Sequence, residues 1–162
     1  MAQPNTMVGE IEIPKTMVSE IEIKASADNF YETLRGKKER RVHDIAPHHL
    51  HKMDVHEGDL DTSGSVKQLT FAVGDTVETL KERIEFDDEN KKITYFILEG
   101  DLMKHYKSYK VILQVTAKGS GSLVKWTLVY EKVSQSAPEP TKYRDLMVNL
   151  TKDIETHLVQ AQ

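Results

Sequence analysis

The sequence contains no cysteine, which excludes disulfide bonds, thiolate catalysis and thiolate metal sites. Its start lacks the basic and apolar regions of a signal peptide, and no apolar run approaches the ~20 residues that span a bilayer. These absences predict a reducing, cytoplasmic location and no transmembrane segment. The net charge of -4, with no Lys/Arg stripe interleaved with aromatic residues, argues against nucleic acid as a partner.

A short tandem repeat is the first pattern along the chain, MVGEIEIPKT at residues 7–16 and MVSEIEIKAS at residues 17–26. Both copies alternate like strands, but only one can be the first strand of a compact sheet. The second copy is the better candidate because it leads into Ser26, a typical helix cap, whereas Pro14 limits ladder bonding in the first copy. We therefore predict an extension over residues 1–16 and a single domain over residues 17–162, a length that supports a substantial core.

Hydrophobic periodicity predicts the remaining elements. Strands are expected at residues 50–56, 66–73, 77–86, 92–99, 106–116 and around 124–130, with helices at residues 28–35, 37–44 and 140–160. Because the helices do not alternate with the strands and the strand connections are short, the pattern indicates an α+β fold with an antiparallel sheet. The alternating charges at residues 81–85, KERIE, are typical of cross-strand ion pairs on a solvent-facing surface.

Several short segments carry a resemblance to a known family. They are EGD at 57–59, GSV at 64–66, KERIE at 81–85, LEGDLM at 98–103, YKSY at 106–109, VKW at 124–126, YEK at 130–132 and TKDIE at 151–155. Their order and spacing resemble the major latex protein family of plants, a branch of the birch-pollen allergen (Bet v I) superfamily, over residues 17–159.

The resemblance implies a helix-grip (START-like) fold. In that fold a seven-stranded antiparallel curved sheet wraps a long C-terminal helix, two short helices close one end, and an internal apolar cavity holds small hydrophobic ligands. It further implies a protein linked to plant defence or stress responses that binds fatty acids, lipids, steroids or other apolar metabolites. No cofactor is expected.

The expected cavity wall combines one helix stripe with the inward faces of the strands. On the last helix, Tyr143, Leu146, Met147 and Leu150 recur at three- and four-residue steps. The other expected ligand-binding residues are Leu34, Phe71, Ile93, Tyr95, Ile97, Tyr109, Val124, Trp126, Leu128 and Tyr130. We expect the entrance among the loops at 58–64, 74–75 and 100–105, with His56, Asp101 and His105 at the cavity mouth.

Three other interpretations compete with a non-catalytic carrier. The same residues could fill the interior as an ordinary core, which is the commoner fate of an apolar helix stripe. Some relatives in the superfamily are cyclases or isomerases of alkaloid-type metabolism, but no acid, base or nucleophile stands out here. The hormone receptors of the superfamily carry a Ser-Gly-Leu-Pro-Ala gate and a His-Arg-Leu latch, and neither string occurs here.

Five of the seven histidines lie between residues 43 and 56, and imidazole is a common zinc ligand. On an extended strand His49 and His51 share a face, whereas His48 precedes them in a loop after Pro47. No cysteine completes a familiar ligand set, so the sequence predicts surface or structural histidines and no metal site.

Overall fold

The computed structural model describes residues 13–35, 42–59 and 62–160. Within them, seven strands form one antiparallel sheet in the order β1-β7-β6-β5-β4-β3-β2. The elements in chain order are β1 (Lys15–Ile23), α1 (Ala27–Arg35), α2 (Val42–Ile45), β2 (Leu50–Glu57), β3 (Ser65–Val73), β4 (Thr76–Asp87), β5 (Lys92–Gly100), a 3₁₀ helix (Asp101–Lys104), β6 (Tyr106–Lys118), β7 (Gly121–Lys132) and α3 (Thr141–Gln160).

The second copy of the N-terminal repeat supplies most of β1, as predicted, and β1 pairs along its whole length with β7. Ser26 then caps α1, because its Oγ accepts a hydrogen bond of 3.2 Å from the backbone N–H of Asn29. Residues 7–12 of the first copy lie outside the described residues, whereas Lys15 and Thr16 begin β1. The role of the first copy and the domain boundary at residue 17 stay predictions. Of the helix predicted at 37–44, the structure describes Val42–Ile45, and residues 36–41 lie outside the described ranges.

The long helix α3 contacts strands near both edges of the sheet. It contacts β1 and β7 near one edge, β3 near the other edge, and both short helices. A single helix can touch β1 and β3 only if the sheet curves around it, so the predicted α+β helix-grip architecture is confirmed. None of the described helices is long and apolar enough to cross a membrane.

The predicted alternation of side chains holds along the central strands. Val124, Trp126, Leu128 and Tyr130 on β7 are all buried, whereas Ile112 on β6 points away from the inward face that its neighbour Leu113 occupies. Bulges interrupt the register on β2, on β5 and at the start of β6.

A β-bulge at the start of β6 moves one aromatic ring to the interior. Tyr106 pairs with Lys132 and Ser108 with Glu131, so Lys107 is the extra residue. Without the bulge, strict alternation would turn Lys107 inward and Tyr106 outward. Because of it, both Tyr106 and Tyr109 are buried.

Candidate functional site

A cavity of about 170 Å³ lies between the sheet and α3. Its wall comes from α1, α2, the start of β2, the inward faces of β3 to β7, the 3₁₀ helix and the first half of α3. Most of the wall is aliphatic or aromatic, because these strands alternate apolar residues on their inward face. The elements that build the fold thus leave an apolar space at their common centre.

Most of the residues predicted to contact a ligand border this cavity. They are Leu34, Phe71, Tyr95, Ile97, Tyr109, Trp126, Leu128, Tyr143, Leu146, Met147 and Leu150. Their contact with a ligand stays a prediction, but their position around one space follows from the parity of the strands and the stripe on α3.

Ile93, Val124 and Tyr130 face the interior as predicted but lie outside the cavity lining. Ile93 and Val124 belong to a part of the core that we call the filled cluster, whose members are fully buried: Phe30, Ile93, Leu113, Val124 and Ile154. Strand parity correctly assigns their face, but it cannot specify how far along the strand the cavity extends. Tyr130 instead packs against other tyrosines beside the cavity.

The three residues predicted at the cavity mouth do not border the cavity either. His56 and His105 have exposed side chains, and His56 is the extra residue of a bulge on β2. Asp101 accepts a 2.9 Å hydrogen bond from the backbone N–H of Thr79, which lowers the pKa of its carboxyl. Leu102, next to Asp101, reaches the cavity instead. The location of the entrance stays a prediction.

Charged side chains line the cavity, which the sequence did not predict, and two of them form a cross-strand pair. Lys67 on β3 and Glu82 on β4 are directly opposite in the antiparallel register, both line the cavity, and each is only 5% exposed. Other unpredicted lining residues are Thr33, Arg35, Val42, His49, Leu50, Met53, Leu69, Leu80, Ile84, Leu102 and Val111. The alternation of side chains along β4 could have predicted that Glu82 faces inward, because it lies between Leu80 and Ile84 on the inward face.

The solvent-face interpretation of residues 81–85 is therefore wrong for Glu82. Lys81, Arg83 and Glu85 do face outward, and Lys81 Nζ forms a cross-strand ion pair with Glu99 Oε2 at 3.4 Å. Glu82 points the other way because successive side chains on a strand alternate.

Burial dominates the electrostatics of Glu82. Loss of solvation raises the pKa of its carboxyl to about 7, and the positive charge of Lys67 only partly opposes this shift. The phenol of Tyr95, which also lines the cavity, has a raised pKa because of burial and the nearby Glu82. The cavity therefore contains one carboxyl that can gain or lose a proton near neutral pH.

The only tryptophan of the chain, Trp126, is fixed at the cavity wall. Its indole Nε1 donates a 2.8 Å hydrogen bond to Oγ1 of Thr151 on α3, and the ring of Tyr95 stacks beside it with centroids 6.5 Å apart. Both polar ends of this contact are buried, so the indole is held in one orientation.

Four tyrosines, Tyr106, Tyr109, Tyr130 and Tyr143, pack edge to face or tilted at the other side of the cavity. Three of their hydroxyls donate hydrogen bonds: Tyr106 to the carbonyl of Pro138, Tyr130 to Glu139 Oε1, and Tyr143 to Glu78 Oε1 at 2.6 Å.

Tyr109 is the exception among these four. It borders the cavity, but its buried hydroxyl has no hydrogen-bond partner among the described residues. A buried hydroxyl without a partner is costly, so Tyr109 marks a point where a ligand or a water molecule would be stabilised.

Comparison with known proteins agrees with this fold and cavity. The profile of the Pathogenesis-related protein Bet v 1 family matches residues 12–161. The chain belongs to the Bet v 1 family. Its sequence relatives include MLP-like proteins of Arabidopsis thaliana and major latex proteins of Papaver somniferum. It is 39% identical to MLP-like protein 34 of Arabidopsis thaliana over 153 residues, which is 93% of this chain and 48% of that protein. The chain spans about half the length of the first curated relatives it matches.

Another relative matches along its whole length. MLP-like protein 43 of Arabidopsis thaliana is 36% identical over 98% of both chains. Among solved structures, ginseng major latex-like protein 151 from Panax ginseng superposes with a TM-score of 0.84 at 33% identity, covering 90% of this chain and 98% of that one. Norcoclaurine synthase from Thalictrum flavum superposes with a TM-score of 0.70 at 19% identity, covering 93% of this chain and 89% of that one, a likeness of fold alone.

Proposed function

We propose that the protein binds or carries small hydrophobic ligands in the cavity without chemically changing them. The ligand class is that of fatty acids, lipids, steroids or other apolar plant metabolites, and the proposed setting is a cytoplasmic role in plant defence or stress responses. The observation that carries the proposal is the apolar cavity of about 170 Å³, at whose wall Tyr109 keeps a buried hydroxyl without a partner among the described residues.

An empty cavity of this size is expensive. At ~24 cal/mol per Å³ it would cost about 4 kcal/mol, a large fraction of the 5–15 kcal/mol that stabilises a typical domain. A bound apolar molecule restores the missing contacts and recovers part of that free energy. The free energy of the cavity therefore favours an occupant, either water or an apolar ligand.

The dimensions and polarity of the cavity restrict the occupant. A cavity of roughly 150 Å³ accommodates a single aromatic ring, so a sterol or a long acyl chain requires this one to widen. Met53 and Met147 lie in the wall, and their unbranched side chains adapt easily to different shapes. The polar groups of Glu82 and Tyr109 favour a ligand that is mainly apolar but carries one or two hydrogen-bonding atoms.

The first test is native mass spectrometry of the protein purified from its own tissue, followed by identification of any small molecule released on denaturation. We expect one bound apolar compound per chain. That compound should then change the fluorescence of Trp126 in a titration, because the indole lies in the cavity wall.

A matched pair of variants separates cavity binding from surface binding. Val111 lines the cavity, whereas the next residue, Ile112, is on the opposite face of β6. We expect Val111→Phe to weaken binding at least tenfold because the added ring occupies the cavity, and Ile112→Phe to bind normally. Recovery of empty protein together with no fluorescence response to fatty acids, sterols or ring-sized aromatic compounds would contradict the proposal.

An enzyme is the second candidate, and Glu82 is the observation that favours it. A buried carboxyl with a pKa of about 7 can act as a general acid or base, and it lies across from Lys67 and close to Tyr95. The norcoclaurine synthase structure contains dopamine and hydroxybenzaldehyde, which supplies a practical assay. We expect no condensation product when this protein is incubated with both compounds. Product that disappears in Glu82→Gln would establish the enzyme instead.

A further inference from the structure

Two consecutive histidines and one aspartate converge at the turn before β2. The Nε2 atoms of His48 and His49 each lie 2.9 Å from the same carboxylate oxygen, Oδ2 of Asp153 on α3. One ligand-type atom from each of the three residues lies within 4.8 Å of the other two. The sequence conceals this cluster, because Asp153 is 105 positions from His48.

We propose that His48, His49 and Asp153 form a binding site for a divalent transition-metal ion such as Zn²⁺. Zinc binds imidazole nitrogen at about 2.0–2.1 Å and carboxylate oxygen at about 2.0–2.2 Å, so two such atoms lie about 2.9 Å apart at a right angle and about 3.4 Å apart at the tetrahedral angle. The two observed separations of 2.9 Å already equal an edge of such a coordination shell. An ion would replace the hydrogen-bonding protons between the three residues with small movements of the side chains.

The backbone around the site is held in place before any ion arrives. The N–H groups of His49 and Leu50 both donate to the carbonyl of Ala46, and the carbonyl of His49 accepts a 2.8 Å hydrogen bond from the N–H of Ala72 on β3. On the other side, Ile154, next to Asp153, is fully buried and anchors this turn of α3. The ligands therefore need little ordering on binding, which lowers its entropic cost.

The ligand set selects the class of metal. Two imidazoles and one carboxylate suit Zn²⁺, Ni²⁺ or Cu²⁺, whereas Ca²⁺ and Mg²⁺ prefer shells of oxygen atoms. The side chain of His48 is 64% exposed and that of Asp153 37% exposed, so the remaining coordination positions face solvent. A site with three protein ligands and one position filled by water differs from a structural zinc site, in which four protein ligands close the coordination shell.

The site also adjoins the cavity. His49 lines the cavity wall, and its side chain is 21% exposed. An ion held by His49 and Asp153 would therefore join the turn before β2 to α3 across one part of that wall. The metal site itself does not depend on the ligand-binding proposal, since its three residues are defined by their contacts with one another.

The test is isothermal titration calorimetry, in which ZnCl₂ is added to the full chain. The protein is expressed without a polyhistidine tag and is first stripped of metal with a chelator. We expect one equivalent to bind at micromolar zinc or below. Asp153→Asn, His48→Asn and His49→Gln should each weaken binding at least tenfold. His56→Asn is the matched control, because His56 is an exposed histidine of β2 outside the cluster, and it should bind zinc as the unmodified protein does.

A second readout protects the test against misfolded variants. Circular dichroism without metal checks that each variant is folded, and the visible absorption of added Co²⁺ reports its coordination by nitrogen and oxygen ligands. We expect the cobalt spectrum in the unmodified chain and in His56→Asn, and its loss in folded Asp153→Asn. Failure of the unmodified chain to bind one equivalent, or equal binding by folded Asp153→Asn and His48→Asn, would overturn the proposal.

Discussion

The two halves of the interior share β5, β6 and β7 and the same alternation of side chains, yet one is filled and the other is open. In the filled cluster, Ile93, Leu113 and Val124 from the sheet meet Phe30 of α1 and Ile154 of α3, and all five are 0% exposed. In the cavity half, the sheet contributes Leu80 and Ile97, and the first half of α3 contributes Tyr143 and Leu146 across a gap.

The helices that pack on the sheet explain why one half is filled and the other is open. Around the filled cluster, α1 and the second half of α3 both press on the strands, so aliphatic side chains interdigitate. In the cavity half the space also contains a carboxyl, an ammonium group and a phenol, namely Glu82, Lys67 and Tyr109, which apolar packing alone would exclude. We infer that the filled cluster supplies most of the stability, and that the cavity half contributes less because its side chains leave a space unfilled.

The largest effect on stability should come from shortening one side chain in each half of α3. We expect Ile154→Ala to lower the free energy of unfolding by about 4 kcal/mol, near the upper part of the usual range, because neighbours fully enclose it. Leu146→Ala on the same helix should cost only about 1 kcal/mol, since one side of this half-buried side chain already faces the cavity. Urea unfolding of both variants measures the contrast, and equal losses would mean that the two halves are packed alike.

The next effect concerns Glu82 and depends on pH. Its folded-state pKa is about 7 against an unfolded value of 4.5, so the folded chain binds the proton more tightly. Stability therefore decreases as pH rises from about 4.5 to 7 and stays lower above that range. A shift of this size corresponds to about 3 kcal/mol, so we expect Glu82→Gln to be more stable than the unmodified chain by that amount at pH 8.5 and equal to it at pH 4.

Urea unfolding at several pH values provides the measurement for Glu82→Gln. Glu85→Gln is the matched control, because Glu85 is on the exposed face of the same strand and the variant keeps Glu82, so its stability should decrease with pH as that of the unmodified chain does. If Glu82→Gln were less stable than the unmodified chain at pH 8.5, attraction to Lys67 would outweigh the cost of burying the charge.

A smaller effect is expected at the contact between the two halves, where Trp126 donates its 2.8 Å hydrogen bond to Thr151. Thr151→Val keeps the shape of the side chain but leaves the buried indole N–H without its partner. We expect a loss of about 1–2 kcal/mol in urea unfolding and a shift in the emission of Trp126. Thr156→Val, an exposed position on the same helix, should change neither quantity. An unchanged Thr151→Val variant would show that the indole finds another acceptor.

Periodicity predicted the fold well because it records which face of each element is buried. The observed α3, Thr141–Gln160, begins one residue from the predicted start, and β5 and β6 begin where the alternation begins. The bulge at Lys107 could not be predicted, because it is a local departure from the period that turns Tyr106 inward. The pairing of Lys67 with Glu82, in contrast, could have been predicted, because β3 and β4 are joined by only two residues and regular antiparallel pairing from this turn places the two side chains opposite each other.

The candidate site was predicted only in part, because a sequence pattern assigns a face and not a depth. Ile93 and Tyr95 share a face of β5, yet one is in the filled cluster and the other at the cavity. Which of the two a residue joins depends on where α1 and α3 cross the sheet. The convergence of His48 and His49 on Asp153 depends on the same crossing, which no local pattern encodes.

The smallest effect on stability should be at Tyr109. Because its hydroxyl has no partner among the described residues, Tyr109→Phe removes the cost of burying an unsatisfied group, and we expect the free energy of unfolding to rise by up to about 1 kcal/mol. Tyr143→Phe should cost about 1–2 kcal/mol, since the hydroxyl of Tyr143 donates a 2.6 Å hydrogen bond to buried Glu78. Ligand binding should respond differently from stability. Tyr109→Phe should weaken the binding of a ligand that has a hydrogen-bonding atom several-fold and leave the binding of a purely apolar ligand unaffected. If Tyr109→Phe bound both ligands as tightly as the unmodified chain does, the hydroxyl would form its hydrogen bond with water and not with the ligand.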